Sequence, residues 1–470
     1  MATGLLRHLP RAATGLARKL TSRRRAFLTW GAVLLVVLAL YFTLTHQKNQ
    51  APKVLKLSFS LSARDRSTDV FVRARGAEVY VYSAIATNYD FNSGLKRQGQ
   101  RMSHQHKATD APLTEPTDIV ITILDKSRRE PFRCCVALAD GQTVMEIPAR
   151  DFYSLNPETT DRDIYMARQI VCSVPAATSR PLPSYLTLVT HSSCHGDVSD
   201  YTPILYPPRV HNELAVCAKI AHSGGLDPGR VIEWFEMQRL LGVDKVVIYD
   251  LGNPEVLMKV FRHYQEIGML DIVPYDLPGS PKHRKLTEDF KFTPQFLHDE
   301  TLAVLECRVR LGGYEMILSH DLDELVVPRE RASLKDVFKK ARQQSPLAAG
   351  FYFLTEFFIT SWAPTNRDST LTFTRYQRCT AVHRECTKFV VFPQRVHTFL
   401  THTILQKSFY TTPYLSPRDL ILHHYRKCPS GWRTCRPDTV VDNTMSQYTR
   451  DLELRVSKVR KLTGMTPLQV

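Results

Sequence analysis

Two aspartates and a glutamate follow an apolar run in the C-terminal half of the chain. The segment HDLDELVVP places Asp321, Asp323 and Glu324 directly after the strand predicted in YEMILSH. Alternate residues of an extended stretch point the same way, so the two aspartates can present their carboxylates together at the end of the strand. Carboxylates this close repel each other, and a divalent cation relieves the repulsion. Such an ion could hold a diphosphate, offset its charge and help it leave.

An Asp-x-Asp pair is a weak signal when it stands alone. The chain contains a second pair, Asp161 and Asp163, in a polar stretch that we interpret as a solvated turn. A capped turn after a core strand is an equally good interpretation of Asp321 and Asp323. The surrounding elements therefore have to decide between a cation site and a turn.

Strands alternate with helices from about residue 209 onward. LAVCAKIA (Leu214–Ala221) predicts a strand, and Asp227 and Pro228 predict the N-cap and first residue of a helix that Gly242 closes. The next strand, VDKVVIYD, ends at Asp250, and a third strand and a longer helix precede YEMILSH. This alternation is typical of an α/β fold with a mostly parallel sheet, which binds ligands at the carboxyl ends of its strands.

The first half of the chain has a different pattern. Short runs such as VFVRARGAEVYVYSA, DIVITILD and YLTLVT are separated by polar and proline-containing turns, which predicts a smaller β-rich domain over residues 69–205. The α/β domain then occupies residues 206–470. Residues 46–68 are polar and basic without periodicity, and we interpret them as a stem.

The N-terminal segment predicts a single membrane anchor. Residues 1–25 carry seven Lys and Arg residues and no acid, and Ala26–Thr45 is a run of twenty uncharged residues. At about 1.5 Å per residue that run spans roughly 30 Å, the thickness of a bilayer's hydrocarbon core. A cleaved signal peptide is the alternative, but its apolar region is shorter and ends in a small-residue cleavage site. The basic flank predicts a cytosolic N-terminus and a lumenal or extracellular remainder.

The charge and the cysteines bear on the partners and the compartment. The formal net charge is +16, of which the first 25 residues contribute +7. A lumenal location removes nucleic acid as a partner, and the remaining positive charge is compatible with an anionic substrate. All ten cysteines follow the apolar run, which predicts disulfides. A zinc site is the less favoured interpretation of His423, His424, Cys428 and Cys435.

The ordered set of motifs resembles glycosyltransferase family 92, a GT-A-type family of type II membrane proteins. The shared features are VCAKIA, GVDKVVIYD, LSHDLDELVVP, CTKFVVFPQRV and LILHHYR, and they span roughly residues 205–430. The segment FYFLTEFFITSWAPTN matches only loosely. The resemblance implies a GT-A-like nucleotide-sugar-binding domain and an inverting, Mn²⁺-dependent transfer from a UDP donor to a glycan. It further implies galactose as the sugar, a β linkage and a place in the Golgi membrane.

The resemblance also implies roles for individual residues. Carried over by position, the metal ligands are Asp321, Asp323 and His424, and the donor contacts are Asp250, Asp321, Lys388 and Arg426. Helix capping at Asp250, a strand-end histidine at His424 and solvated surface at Lys388 and Arg426 remain open alternatives.

The base that takes the acceptor proton is harder to place. Glu356 lies between apolar residues on a predicted strand, where an unpaired carboxylate would have a raised pKa, and it is our candidate. A salt-bridged core glutamate is the alternative interpretation, and Asp289 and Glu300 are lesser candidates for the base.

Two other functions are compatible with parts of this pattern. A haloacid-dehalogenase-like phosphatase uses the first Asp of a D-x-D as a nucleophile, but its motif opens the domain and continues with Thr or Gly instead of Glu324. A catalytically inactive glycosyltransferase fold, kept as a lectin or scaffold, is the non-enzymatic alternative, because fold does not establish function. Nucleotide-sugar binding without turnover would distinguish it.

Overall fold

The computed structural model describes eleven stretches of the chain: residues 53–56, 70–87, 117–126, 131–154, 164–175, 182–190, 193–194, 200–221, 226–276, 294–428 and 439–466. The predicted anchor, most of the predicted stem, Asp161, Asp163 and Asp289 lie outside them. Within these stretches no helix is both long and apolar enough to cross a bilayer. The described residues from Val54 onward form one compact unit.

The runs that predict strands in the first half of the chain form a ten-stranded sheet. Its strands follow the order β1-β6-β5-β9-β10-β3-β4-β8-β7, and β2 pairs with β3. Their bounds are β1 (Lys53–Lys56), β2 (Val72–Arg73), β3 (Val79–Thr87), β4 (Thr117–Asp125), β5 (Arg133–Leu138), β6 (Thr143–Pro148), β7 (Arg150–Ser154), β8 (Met166–Val174), β9 (Pro183–Val189) and β10 (Thr202–Leu205).

Disulfides form, as the sequence predicts. Adjacent residues of β5 point to opposite faces, and each of its two cysteines has a different partner: Cys134 bonds Cys172, and Cys135 bonds Cys194. Cys428 is also disulfide-bonded. Cys379 and Cys386 are free thiols.

A second, six-stranded sheet carries the predicted strand-helix alternation. Its order is β13-β12-β11-β14-β19-β16, with the first four strands parallel and the last two antiparallel to their neighbours. The strands are β11 (Leu214–Ala221), β12 (Lys245–Asp250), β13 (Leu270–Pro274), β14 (Met316–Ser319), β16 (Gly350–Tyr352) and β19 (Phe389–Val391). The crossover helices are α1 (Pro228–Leu240), α2 (Glu255–Glu266) and α3 (Pro294–Arg310). The α/β prediction is confirmed.

The predicted end signals of α1 are also confirmed. The Asp227 side chain accepts a hydrogen bond from the Arg230 amide at 2.8 Å, so it caps the first turn. Gly242 follows the helix with a φ of +82°, a conformation that glycine adopts without the steric cost of a Cβ.

A third sheet brings the C-terminal strands against the end of β14. Its order is β15-β22-β17-β18-β23. The strands are β15 (Glu324–Pro328), β17 (Thr355–Ile359), β18 (Arg378–Thr380), β22 (Leu420–Arg426) and β23 (Thr439–Val441), and β20 (Val396–Phe399) pairs with β21 (Ile404–Gln406). The remaining helices are α4 (Leu334–Gln344), α5 (Thr372–Arg375) and α6 (Thr449–Leu462), with single 3₁₀ turns at Pro393–Arg395 and Thr444–Tyr448.

Helix α3 packs between the ten-stranded and six-stranded sheets. The Gln169 side chain donates to the Leu305 carbonyl at 3.0 Å, and the Tyr165 amide donates to the Gln295 side chain at 2.8 Å. A disulfide between Cys217 and Cys307 fixes α3 to the central strand β11. The helix is therefore held from both sides, which sets the position of the β14 strand that follows it.

Candidate active site

The Asp-x-Asp segment is the turn at which the chain leaves the six-stranded sheet for the third sheet. It lies between β14 and β15, and α1 and β22 hold its backbone. The Trp234 indole donates to the carbonyls of Glu324 at 2.8 Å and Asp321 at 3.2 Å, and the Tyr425 amide donates to the Asp323 carbonyl at 2.9 Å. These contacts fix the backbone of the turn that carries Asp321 and Asp323.

Asp321 lies between two lysines. Lys219 Nζ is 2.9 Å from Oδ1, and Lys388 Nζ is 2.8 Å from Oδ2. Desolvation acts to raise the pKa of Asp321, but the two ammonium groups outweigh it and hold that pKa well below its usual range. Lys388 is 1% exposed and also lies 3.6 Å from Glu324. The predicted donor contact Lys388 is therefore a buried partner of the Asp-x-Asp-Glu segment.

Lys219 was not singled out by sequence reasoning. It lies at an irregularity in the pairing of β11 with β12 and has a φ of +54°, which is uncommon for a residue with a Cβ. Its Nζ joins Asp321 to Glu300, at 2.8 Å from Glu300 Oε1. A backbone outlier of this kind is expected where a side chain is needed at a functional site. The only sequence signal was its position near the end of the first strand.

Asp323 and His424 form the second half of the site. His424 Nε2 is 3.4 Å from Asp323 Oδ2, and its Nδ1 is 3.3 Å from Glu324 Oε1. Burial acts to lower the pKa of His424, but the charges of Asp323 and Glu324 outweigh burial and raise it. Burial likewise acts to raise the pKa of Asp323, and His424 lowers it below its usual value. The Asp323 side chain is 42% exposed, so it remains open to a ligand.

The donor set of Asp323 and His424 fits a divalent cation. A carboxylate oxygen and an imidazole nitrogen face each other, and Glu324 stands behind the other ring nitrogen, as second carboxylates do behind metal-binding histidines. His424 Nδ1 and Glu324 Oε1 are buried and make no hydrogen bond within the described residues, although they face each other. Asp321, the third predicted ligand, lies in the same segment with both oxygens bound to lysines.

The other predicted donor contacts lie near strand ends. Asp250 ends β12, and its Oδ1 accepts hydrogen bonds from the amides of Gly252 at 3.1 Å and Asn253 at 3.2 Å, so it caps the turn that follows. Arg426 ends β22 two residues beyond His424. Arg230, which the sequence did not highlight, donates to the Tyr425 carbonyl at 3.1 Å, and its charge helps to lower the pKa of Asp323.

The structure does not bring the candidate base Glu356 to Asp321 and Asp323. Glu356 lies beside His423 in the pairing of β17 with β22, and consecutive strand residues such as His423 and His424 point to opposite faces. Its carboxylate is 2.8 Å from Arg329 Nη2. Burial raises the pKa of Glu356, against the opposing charges of His423 and Arg329.

Glu356 belongs to a buried cluster of charged groups. His423 Nε2 lies 3.9 Å from Glu356 Oε2 and 3.6 Å from Asp442 Oδ2, and one ligand atom from each residue lies within 4.8 Å of the others. Such a group has the size to hold a metal ion. Arg329, however, pairs with both carboxylates. The arrangement is that of an ion-pair network in which a guanidinium already supplies the positive charge.

Comparisons with known proteins point to one enzyme class. The family model described as glycosyltransferase family 92 matches residues 212–463. A β-1,4-galactosyltransferase of Caenorhabditis elegans, galt-1, is 23% identical over 129 residues, which are 27% of this chain and 28% of that protein. This chain therefore matches less than a third of that relative's length.

Two solved structures of Staphylococcus aureus TarS, residues 1–349, are also similar in part. The first is 9% identical with a TM-score of 0.25, and the match covers 52% of this chain and 65% of TarS. The second, in complex with UDP, is 8% identical with a TM-score of 0.26, and the match covers 53% and 72%.

Proposed function

The chain belongs to glycosyltransferase family 92, and on that premise we propose that it is a metal-dependent, inverting glycosyltransferase with a GT-A-like domain. The proposed reaction moves galactose from a UDP donor to a hydroxyl of a glycan, with a β linkage. The choice of galactose rests on the family resemblance and on the galactosyltransferase similar to part of this chain. One observation carries the proposal: Asp323 and His424 converge at 3.4 Å at the end of the parallel strands.

The proposed roles follow from the contacts of each side chain. Asp323 and His424 would hold Mn²⁺, and Glu324 would orient the imidazole. The bound ion would offset the negative charge of the UDP leaving group. Lys388 and Lys219 place two positive charges beside Asp321, which suits a site for an anionic donor.

The further donor contacts that we propose are Asp250, Asp321 and Arg426. Asp250 would serve the nucleoside from the end of β12, the kind of position at which α/β sheets bind nucleotides. Arg426 would serve the phosphates from the end of β22, where a guanidinium can form paired hydrogen bonds with oxygen atoms.

An inverting transfer also needs a group that accepts the proton of the acceptor hydroxyl. Glu356 remains our prediction from sequence, and Glu300 is the carboxylate that the structure links to the site, through Lys219 and Asp321. Glu300 is 22% exposed, so an acceptor can reach it. The two glutamates can be separated by substitution, as argued below.

The proposal is tested by hydrolysis of a panel of UDP-sugars by the purified protein, with Mn²⁺ and with chelator. We expect UDP release from UDP-galactose that needs Mn²⁺ and falls at least about 100-fold in Asp323→Ala. Asp271→Ala is the matched control, because Asp271 is about half exposed on β13 and contacts Lys245. The proposal fails if no donor is cleaved and none raises the melting temperature with Mn²⁺.

A binding protein without catalytic activity is the second candidate function. The observation that favours it is the pairing of the candidate base Glu356 with Arg329, on the opposite face of the third sheet from His424. Mn²⁺-dependent binding of UDP without turnover of any donor, with any glycan acceptor added, would select this alternative.

For localisation we propose a single-pass type II protein of the Golgi membrane, anchored by residues 26–45 with the remainder in the lumen. Disulfides such as Cys134–Cys172 support an oxidising compartment. Protease protection in sealed microsomes tests the topology: a C-terminal tag should be protected and an N-terminal tag digested. The reverse pattern would overturn it.

A further inference from the structure

A cavity of about 340 Å³ lies between the ten-stranded sheet and the C-terminal end of α3. One wall comes from β3, β4, β7 and β8, and the other from residues 207–209, 308–313 and 393–407. Within the second wall the backbone packs closely at Gly313, where a Cβ would lie 1.9 Å from the Pro208 carbonyl oxygen. The size is within the range of small-molecule sites.

The lining of the cavity includes four cationic side chains and one imidazole, namely Arg150, Arg209, Arg308, Lys407 and His397. Its acidic lining residues each contact a basic residue. Asp151 pairs with Arg168, and Asp118 lies 3.9 Å from Arg150. Neither of these two acids forms an ion pair with Arg308 or Lys407 on the opposite wall.

Arg308 has an unusual environment for an arginine. Its Nη2 donates to the Val396 carbonyl at 3.0 Å, its Nε is buried without a hydrogen bond, and no described carboxylate forms an ion pair with it. Burial lowers the pKa of Arg308 to about 10. Arg310, two residues later on the same helix, instead forms a paired contact with Glu306 at 2.7 Å. A desolvated cation without a counter-charge is costly, so an anion bound beside Arg308 would be stabilising.

Lys407 increases this imbalance. It lines the same cavity, and burial followed by the charge of Arg308 lowers its pKa. The positive charges of Arg308 and Lys407 repel each other in this cavity. An anion that binds between them would stabilise both.

The cavity is separate from the Asp-x-Asp site. Gly312 and Gly313 line it just before β14 begins, whereas Asp321 follows the end of that strand. The four residues of β14 span about 13 Å, at roughly 3.3 Å per residue. The two sites therefore lie at opposite ends of the strands of the six-stranded sheet.

We propose that this cavity binds an acidic sugar through a sulfate, phosphate or carboxylate group held by Arg308 and Lys407. The sugar ring would pack its apolar face on Phe152, an aromatic side chain of the cavity wall that is 37% exposed. The site would recognise an acidic residue of a glycan, apart from the position at which transfer occurs. The assignment of a sugar as the ligand rests on the proposed glycosyltransferase function, but binding in this cavity needs neither the UDP-sugar donor nor a metal.

Binding is measured by calorimetry on the full chain with N-acetylglucosamine 6-sulfate, glucuronic acid, neutral N-acetylglucosamine and inorganic sulfate. We expect the sulfated sugar to bind at least tenfold more tightly than the neutral one. Lys407→Gln should weaken it at least tenfold, and Phe152→Ala should weaken the sulfated sugar but not inorganic sulfate. Exposed Arg378→Gln, outside the cavity, is the control.

The stability of Arg308→Met separates a ligand site from a structural arginine. If the role of Arg308 is to bind an anion, Arg308→Met should have the same melting temperature as the parent or a higher one. The sulfated sugar should then no longer raise that melting temperature. The proposal would be overturned if Lys407→Gln and Arg378→Gln weakened binding equally, or if no acidic sugar bound. If inorganic sulfate bound as tightly as the sulfated sugar, the claim that the cavity recognises a sugar would be overturned. Asp323→Ala should bind the sulfated sugar normally, so failure of the donor site is distinguishable from failure here.

Discussion

His424 and Asp323 face each other, Nε2 to Oδ2 at 3.4 Å, because β22 runs antiparallel beside β15 and places His424 opposite Glu324. The preceding residue, His423, is directed to the other face and meets Glu356 there. Two consecutive histidines thus lie in different chemical environments. One is beside an exposed carboxylate, and the other is within a buried ion-pair network.

This division predicts opposite effects of two alanine substitutions. His424→Ala should weaken Mn²⁺ affinity about 10- to 100-fold, because it removes one of two proposed donors. His423→Ala should leave Mn²⁺ affinity intact and cost about 2 kcal/mol of stability, because it removes the imidazole between buried Glu356 and Asp442 and leaves Arg329 as the cation that faces both carboxylates. Calorimetry with Mn²⁺ and thermal unfolding measure the two effects. Loss of Mn²⁺ affinity in His423→Ala alone would move the metal to the other cluster.

The sequence predicted the α/β sheet well because its signals are local. Asp227 and Gly242 bound α1 through a capping side chain and a positive φ, and both features are readable from residue type. It also predicted that Asp323 and His424 belong to one site, although 101 positions separate them, and this came from the resemblance rather than from any pattern in the residues. The register that joins them depends on the pairing of β15 with β22, which no local signal encodes.

The two candidate bases predict different kinetics. Glu356→Gln should cost about 2 kcal/mol of stability, because it breaks a partly buried ion pair with Arg329, although Arg329 still pairs with Asp442. Turnover should be retained, because Glu356 lies away from Asp321 and Asp323. Glu300→Gln should lower kcat at least about 100-fold with an unchanged melting temperature, as expected for a proton acceptor. Steady-state transfer assays beside thermal unfolding measure both. A large loss of kcat in a stably folded Glu356→Gln would restore the base predicted from sequence.

Lys219 predicts an effect on donor binding. Lys219→Asn removes the ammonium between Asp321 and Glu300 but keeps a residue type that tolerates a φ of +54°. We expect KM for the UDP-sugar to rise about tenfold, the worth of one hydrogen bond to a charged group, with a small change in stability. Lys245→Asn, which removes a lysine paired with Asp271 near the surface, should leave KM unchanged. Equal KM in the two variants would exclude Lys219 from the donor site.

The parts of the site that sequence reasoning missed share a physical reason. Lys219 and Trp234 contact the Asp-x-Asp turn, and Arg230 contacts the nearby Tyr425 carbonyl, only after β11, α1 and β22 fold together. Their roles therefore depend on tertiary distance. Glu356 was chosen because apolar neighbours predicted a perturbed carboxylate, and its pKa is indeed raised. In the fold, however, Glu356 pairs with Arg329, which is distant in sequence. That partner could not be identified from the residues around Glu356.

Glu233 predicts how stability changes with pH. It is buried on α1, where desolvation, opposed by hydrogen bonds from the Phe373 and Thr372 amides, raises its pKa to about 8. The folded state therefore keeps a proton that the unfolded state loses near pH 4.5, so stability falls as the pH rises from about 4.5 to 8 and levels off above. Glu233→Gln should match the parent near pH 4.5 and be roughly 5 kcal/mol more stable at pH 8.5, the worth of a pKa shift from 4.5 to about 8.

Denaturant unfolding at pH 4.5, 7 and 8.5 measures this difference, with exposed Glu330→Gln as the control. The side-chain amide that Glu233→Gln introduces can still accept the hydrogen bond that the Phe373 amide donates to the carboxylate at 3.3 Å, so the substitution removes the charge and keeps the contact. A stability difference that does not change between pH 4.5 and 8.5 would mean that folding does not shift the pKa of Glu233. In that case the amides at the start of α5 would stabilise the buried carboxylate about as strongly as its desolvation opposes it.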